Sequence, residues 1–93
     1  MIQTVKISEF ALKQLRRLPE HIVDKFYLWK RSVEDIGLNT VRKIPGYHDE
    51  FLHGQRKGQR SIRLSKAYRA IYEIRTDGSV RFVAIIEVNK HEY

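Results

Sequence analysis

Between residues 22 and 36 apolar residues recur at helical spacing. Ile22, Phe26, Trp29, Val33 and Ile36 follow one another at steps of four, three, four and three, which places them on one stripe. Gly37 follows as a C-terminal stop. A shorter pattern precedes it: Ala11, Leu15 and Leu18 share a face over Glu9–Leu18, Ser8 is a good N-cap, and Pro19 ends that helix and suits the first turn of the next. Ile2–Ile7 alternates imperfectly and reads as an edge strand. From residue 60 the period switches to two, predicting strands over Arg60–Leu64, Tyr68–Arg75 and Val80–Val88, with Asp77-Gly78 as the hairpin signal between the last two. The order β-α-α-β-β-β predicts one α+β domain over residues 1–93. In it, two N-terminal helices pack on one face of a mostly antiparallel four-stranded sheet.

Alternation then sorts the side chains. Ile62/Leu64, Tyr68/Tyr72/Ile74 and Phe82/Ile86/Val88 are expected to face the helices. The opposite face is expected to carry Arg63, Arg69, Glu73 and Glu87, with Val83 and Ile85 as an apolar floor. If the parity continues past the last strand, His91 and Tyr93 join them. Residues 39–59 form an irregular stretch with Pro45, Gly46, Gly54 and Gly58, and bear Arg42, Lys43, His48, His53, Arg56 and Lys57. So long a connection is either functional or a solvated tether.

Charge narrows the function classes. Eighteen Lys and Arg against 11 Asp and Glu give a net charge of +7, which favours nucleic acid, an acidic protein or an anionic surface as partner. There is no cysteine, so disulfide and thiol chemistry are excluded, and a reducing cytoplasm fits. No apolar run approaches transmembrane length, and MIQTVKISEF lacks the apolar region of a signal peptide. His21, His48 and His53 lack metal-ligand spacing, so no metal and no other cofactor is expected. No phosphate-loop, dinucleotide or nucleophile-elbow motif is present.

An open sheet face with arginines, carboxylates and a histidine can do phosphodiester chemistry. RNA cleavage without a metal needs a base for the 2′-OH, cations for the charge that builds on phosphorus, and an acid for the leaving 5′-oxygen. Arg63 and Arg69 suit the second role, since guanidinium forks onto phosphate oxygens. His91 suits a proton-transfer role. Glu73 and Glu87 are candidates for a base or for carboxylates that orient an arginine, and Arg56, Lys57 and Arg60 are candidates for phosphate binding. The bland reading stands beside this one: sheet arginines paired with Glu73 and Glu87 in solvent, His91 a surface histidine, and Tyr68 and Tyr72 in the core.

The segment Arg63-Leu64-Ser65-Lys66-Ala67-Tyr68-Arg69-Ala70-Ile71-Tyr72-Glu73-Ile74 resembles the R-x-x-x-x-Y-R-x-I-Y-x-I segment of the RelE/ParE toxin superfamily. The ending Glu87-Val88-Asn89-Lys90-His91-Glu92-Tyr93 is similar to the basic and tyrosine-bearing tail of its ribonuclease members, and Leu15-Arg16-Arg17-Leu18-Pro19 also fits. The resemblance implies the toxin of a type II toxin–antitoxin pair, a RelE- or HigB-like mRNA interferase that cuts mRNA on the ribosome without a metal. It also implies a cognate antitoxin. Carried over by position, Arg69 matches the arginine that stabilises the transition state, and Arg63 a phosphate-contacting basic residue. His91 matches a basic or histidine position, Tyr93 the terminal tyrosine, and Lys90 a phosphate contact. Some members take a glutamate base from the segment before the central strands, for which Glu50 is the nearest candidate. His91 and Tyr93 are separated by one residue where some members have them adjacent, which leaves acid and base open. The alternative within the superfamily is a ParE-like inhibitor of DNA gyrase without nuclease activity. A third reading is a non-toxic homologue that only binds antitoxin.

Overall fold

A computed structural model describes residues 1–90. The chain runs β1 (Val5–Ile7), α1 (Glu9–Leu15), α2 (Glu20–Ile36), α3 (Leu38–Val41), β2 (Glu50–Phe51), β3 (Arg60–Arg63), β4 (Tyr68–Asp77) and β5 (Val80–Lys90). Single 3-10 turns lie at Pro45–Tyr47 and Gly54–Arg56. The sheet has five strands in the order β1-β5-β4-β3-β2. β1 pairs parallel to β5, and the other three pairings are antiparallel. The α+β class and the helical layer match the reading from sequence. The fifth strand, β2, is new: two exposed residues carry no alternation to read.

α1 and α2 form where their caps and stripes predict; α3, a single turn, lies largely in the stretch expected to be irregular. The Ser8 hydroxyl oxygen accepts the Ala11 N–H at 3.0 Å and opens α1. α1 stops at Leu15 rather than Leu18. Arg17 N–H donates to the Gln14 carbonyl and Leu18 N–H to the Leu15 carbonyl, so the last turn tightens before Pro19. On α2 the buried stripe is Ile22, Phe26, Trp29 and Val33; Ile36 lies beyond it and is largely exposed. Gly37 turns the chain from α2 into α3 at φ 86°, and a Cβ there would meet the Met1 side chain at 2.7 Å. The core joins Ala11, Leu15 and the α2 stripe to Leu38, Val41, Ile62, Ala70, Tyr72, Val83, Ile85 and Val88.

The last strand departs from simple alternation. Ile71 pairs with Glu87, but Tyr72 pairs with Ile85, so Ile86 is an extra residue on β5. Such a bulge reverses the faces on either side of it. Val83 and Ile85, expected as an open floor, are therefore in the core at 0% and 1% exposure. Phe82 and Ile86, expected against the helices, are only half-buried and lie on the other side.

Ser8 and α1 bind β5 backbone groups on either side of this irregularity. Ser8 N–H donates to the Ile85 carbonyl at 3.1 Å, the Ser8 hydroxyl donates to the Ile86 carbonyl at 3.1 Å, and the Gln14 side-chain oxygen accepts the Val88 N–H at 2.7 Å. Ser8→Ala removes both the cap and the Ile86 contact. It is expected to lower stability by about 1–2 kcal/mol, read as a lowered urea midpoint with unchanged slope.

Candidate functional site

The register lays the open-face residues out in rows. Arg63 pairs with Arg69, and Arg69 with Asn89; one row further along, Glu50 pairs with Ser61, Ser61 with Ile71, and Ile71 with Glu87. Two arginines thus stand directly opposite each other, an arrangement that costs free energy unless an anion lies between them. A small cleft of about 40 Å³ opens over them, lined by His48, Glu50, Ser61, Arg63, Ser65, Lys66, Tyr68 and Arg69. On the other side of Arg69 lies a wider groove of about 520 Å³, lined by Arg56, Arg69, Glu87, Asn89 and Lys90. The Arg69 Nε is buried and finds no hydrogen-bond partner among the described residues. A guanidinium with a donor unmet among the described residues, flanked by two clefts, has the chemistry to receive an oxyanion.

Each wall has a local cause. Ser65 Oγ accepts the N–H groups of Ala67 and Tyr68, both at 3.2 Å, and so folds the β3–β4 turn that carries Lys66. His48 sits in the left-handed region at φ 46°, a conformation uncommon for a side chain of that size, and its Nε2 lies 3.5 Å from a Glu50 carboxylate oxygen. The β2–β3 loop closes with Leu52 N–H on the Gln59 carbonyl and extends across the sheet. Its Arg56 donates to Glu87 on β5 and to the Gln59 side chain. Ile71 lies between those strands in the ladder and is 0% exposed although it faces away from the helices.

The segment bearing His48 and Glu50 is anchored from beneath. The Asp49 side chain, 0% exposed, accepts the Tyr72 phenol at 2.6 Å and Arg60 Nε at 2.5 Å. Burial first, and the hydrogen bond to Asp49 second, push the Tyr72 phenol far above its ordinary value of 10.0. Arg60 also lies over the Phe51 ring at 3.9 Å.

The expected residues therefore divide. Arg63, Arg69 and Glu50 meet at the small cleft; Arg56, Glu87 and Lys90 border the wider groove with Arg69. Arg60, expected on phosphate, is instead committed to Asp49. Glu73 pairs with Arg75 in an exposed contact at 2.5 Å, away from the arginine row, and Lys57 is exposed and lines neither cleft. His91 and Tyr93 lie outside the described residues. Sequence reasoning missed Lys66, Ser65, Asn89 and the pairing of His48 with Glu50. The signal for Asn89 was present in the alternation from Glu87, whereas His48 reaches the cleft through a turn that no periodicity marks. No group of three or more His, Cys, Asp or Glu among the described residues is arranged to hold a metal, and no described helix is long and apolar enough to cross a membrane.

Tyr72 gives a stability test. Its pKa is raised on folding, so its contribution is present below pH 10 and is lost as pH rises above that value, where the unfolded chain ionises first. Above pH 10, unfolding free energy is expected to fall by up to about 1.4 kcal/mol per pH unit from this group. Tyr72→Phe is expected to flatten that slope by one proton's worth and to cost about 1–3 kcal/mol at neutral pH by leaving Asp49 short of a donor. Urea unfolding of both proteins from pH 7 to 11 measures both effects.

No protein-family model matches the sequence, and no curated protein matches it. Solved structures do. The chain is similar to the YoeB/ParE toxin of Agrobacterium tumefaciens at 18% identity, with 96% of this chain and 99% of that one covered and a TM-score of 0.69. It is similar to a chain of the RelBE2 toxin–antitoxin complex of Mycobacterium tuberculosis at 21% identity over 98% and 100%, TM-score 0.69. It is also similar to a chain of the archaeal RelE–RelB complex of Pyrococcus horikoshii at 22% identity over 97% and 96%, TM-score 0.70. At such identities the likeness is one of backbone, and it extends end to end: the chain has the fold of the RelE/ParE toxins.

Proposed function

We propose that the protein is the toxin of a type II toxin–antitoxin pair and acts as a metal-independent endoribonuclease on mRNA at the cytoplasmic ribosome. The observation that carries this reading is the Arg63–Arg69 pair, opposed across β3 and β4 beside the Glu50–His48 contact, with the buried Arg69 Nε unmatched among the described residues. A phosphodiester seated on the two arginines has its charge offset on both sides. Glu50, with His48 at its carboxylate, is the base that takes the 2′-OH proton. The 2′-oxygen then bonds to phosphorus and the bond to the 5′-oxygen breaks, leaving a 2′,3′-cyclic phosphate and a 5′-OH. Arg69 and Arg63 stabilise the charge that gathers on the non-bridging oxygens. Lys66 adds a further positive charge at the cleft, and Lys90 holds the strand in the wider groove, whose wall Arg56 braces through Glu87. His91, as the acid for the leaving oxygen, and Tyr93, as a stacking partner for a base, complete the proposal from the sequence.

Primer extension on a reporter mRNA in a reconstituted translation system tests this. Wild type should give discrete cuts within codons. Arg69→Ala should cut about 10²–10³-fold more slowly while keeping its thermal midpoint, and Glu50→Gln should lose activity with little change in RNA affinity. An intact message with wild type would overturn the nuclease reading and direct attention to gyrase.

The mycobacterial and archaeal neighbours were solved as toxin–antitoxin complexes, which supports a cognate antitoxin here. We propose that an acidic segment of it covers the basic surface, offsetting the charge of +7. Charge reversal at Lys13, Arg16, Arg17, Arg63 and Arg69 together is expected to abolish complex formation in calorimetry; unchanged affinity would exclude this mode of docking.

A further inference from the structure

We infer that the groove beside Arg69 is a nucleobase-reading pocket, with Glu87 and Asn89 selecting guanine next to the phosphate held by the arginines. The inference rests on the nuclease reading for its biological sense, though its chemistry is separately testable. The groove, at about 520 Å³, has room for a base, and Arg69 forms the wall it shares with the small cleft. Asn89 lies directly across the ladder from Arg69, about 5 Å away. Glu87 is about 7 Å farther along the same strand and on the same face. A phosphate on Arg69 therefore leaves its own nucleoside within reach of both side chains.

The two residues offer complementary polar groups. One Glu87 carboxylate oxygen is held by Arg56, which fixes the carboxylate at the groove wall with only 15% of its side chain exposed. The other oxygen makes no hydrogen bond among the described residues, and neither does the Asn89 amide. A fixed carboxylate is an acceptor that favours a base edge with adjacent N–H donors, and guanine presents two, at N1 and N2. Asn89 can donate its amide to guanine O6 on the same edge. Uracil sets a carbonyl on each side of its single N–H and meets the carboxylate with repulsion. Adenine and cytosine each offer one amino group and no second donor beside it. The salt link to Arg56 also holds the carboxylate in place, so little ordering cost remains for the base.

The test is calorimetric titration of the purified protein with 3′-GMP, 3′-AMP, 3′-CMP and 3′-UMP, each of which supplies phosphate and base together. 3′-GMP is expected to bind at least about tenfold more tightly than the other three. Glu87→Gln should collapse the ratio of 3′-GMP to 3′-AMP affinity toward one. Asn89→Ala should lower the same ratio several-fold without touching the Arg56 link. Taking the ratio removes any general change in phosphate affinity caused by the altered charge at residue 87. Equal binding of all four nucleotides by wild type, no binding of any, or a ratio unmoved in both variants would overturn the inference. The message-cutting assay is read separately: guanine selectivity with an intact message retires the nuclease reading and leaves the pocket standing. Cutting without guanine selectivity does the reverse.

Discussion

The basic face depends on a one-residue irregularity at Ile86. Strict alternation along β5 would put Val83, Ile85, Glu87 and Asn89 on one side of the sheet. They would then all be buried, at the cost of two polar groups, or all exposed, at the cost of two large apolar ones. The bulge resolves the conflict by letting the strand change faces midway. Its N-terminal half gives Val83 and Ile85 to the core beneath the helices, and its C-terminal half gives Glu87 and Asn89 to the row beside Arg69. Ser8 and Gln14 hydrogen-bond the β5 backbone on either side of the bulge. The helix cap at the start of the chain and the site wall at its end are thus parts of one arrangement.

A second constraint lies under the other wall. The Asp49 side chain is fully buried, and a lone carboxylate there would be costly. Tyr72 and Arg60 together satisfy it, and by doing so they fix the turn on which His48 and Glu50 stand. Arg60 is engaged by Asp49 as a result. The opposed arginines, by contrast, are left without carboxylate partners among the described salt bridges, while Glu73 is drawn to Arg75 and Glu87 to Arg56. The distribution of ion pairs is what separates arginines that build the fold from arginines available to an anion.

This division explains why the charge of +7 is informative only after folding. Net charge draws polyanions to the protein at long range. Which cations do the binding is decided by which carboxylates they meet, and those meetings occur across 11 positions for Arg60 and Asp49 and 31 for Arg56 and Glu87.

By itself the sequence determined α1 and α2, the Ser8 cap, the hairpin at Gly78 and the placing of Arg63 and Arg69 on one open face, but not the short α3. What it determined follows from local periodicity and from residues within a few positions of one another. The R-x-x-x-x-Y-R-x-I-Y segment added the fold family, which the backbone likeness to the toxins matches. Only the tertiary structure decided the face on which Val83, Ile85, Phe82 and Ile86 lie, because the bulge is a property of the β4–β5 register and not of any window on β5 alone. It alone placed β2, brought His48 to Glu50 through a turn, and withdrew Arg60 into a buried pair. Periodicity reports the face a residue would take in an ideal strand; the partner that claims a charge or interrupts the strand comes from elsewhere in the chain.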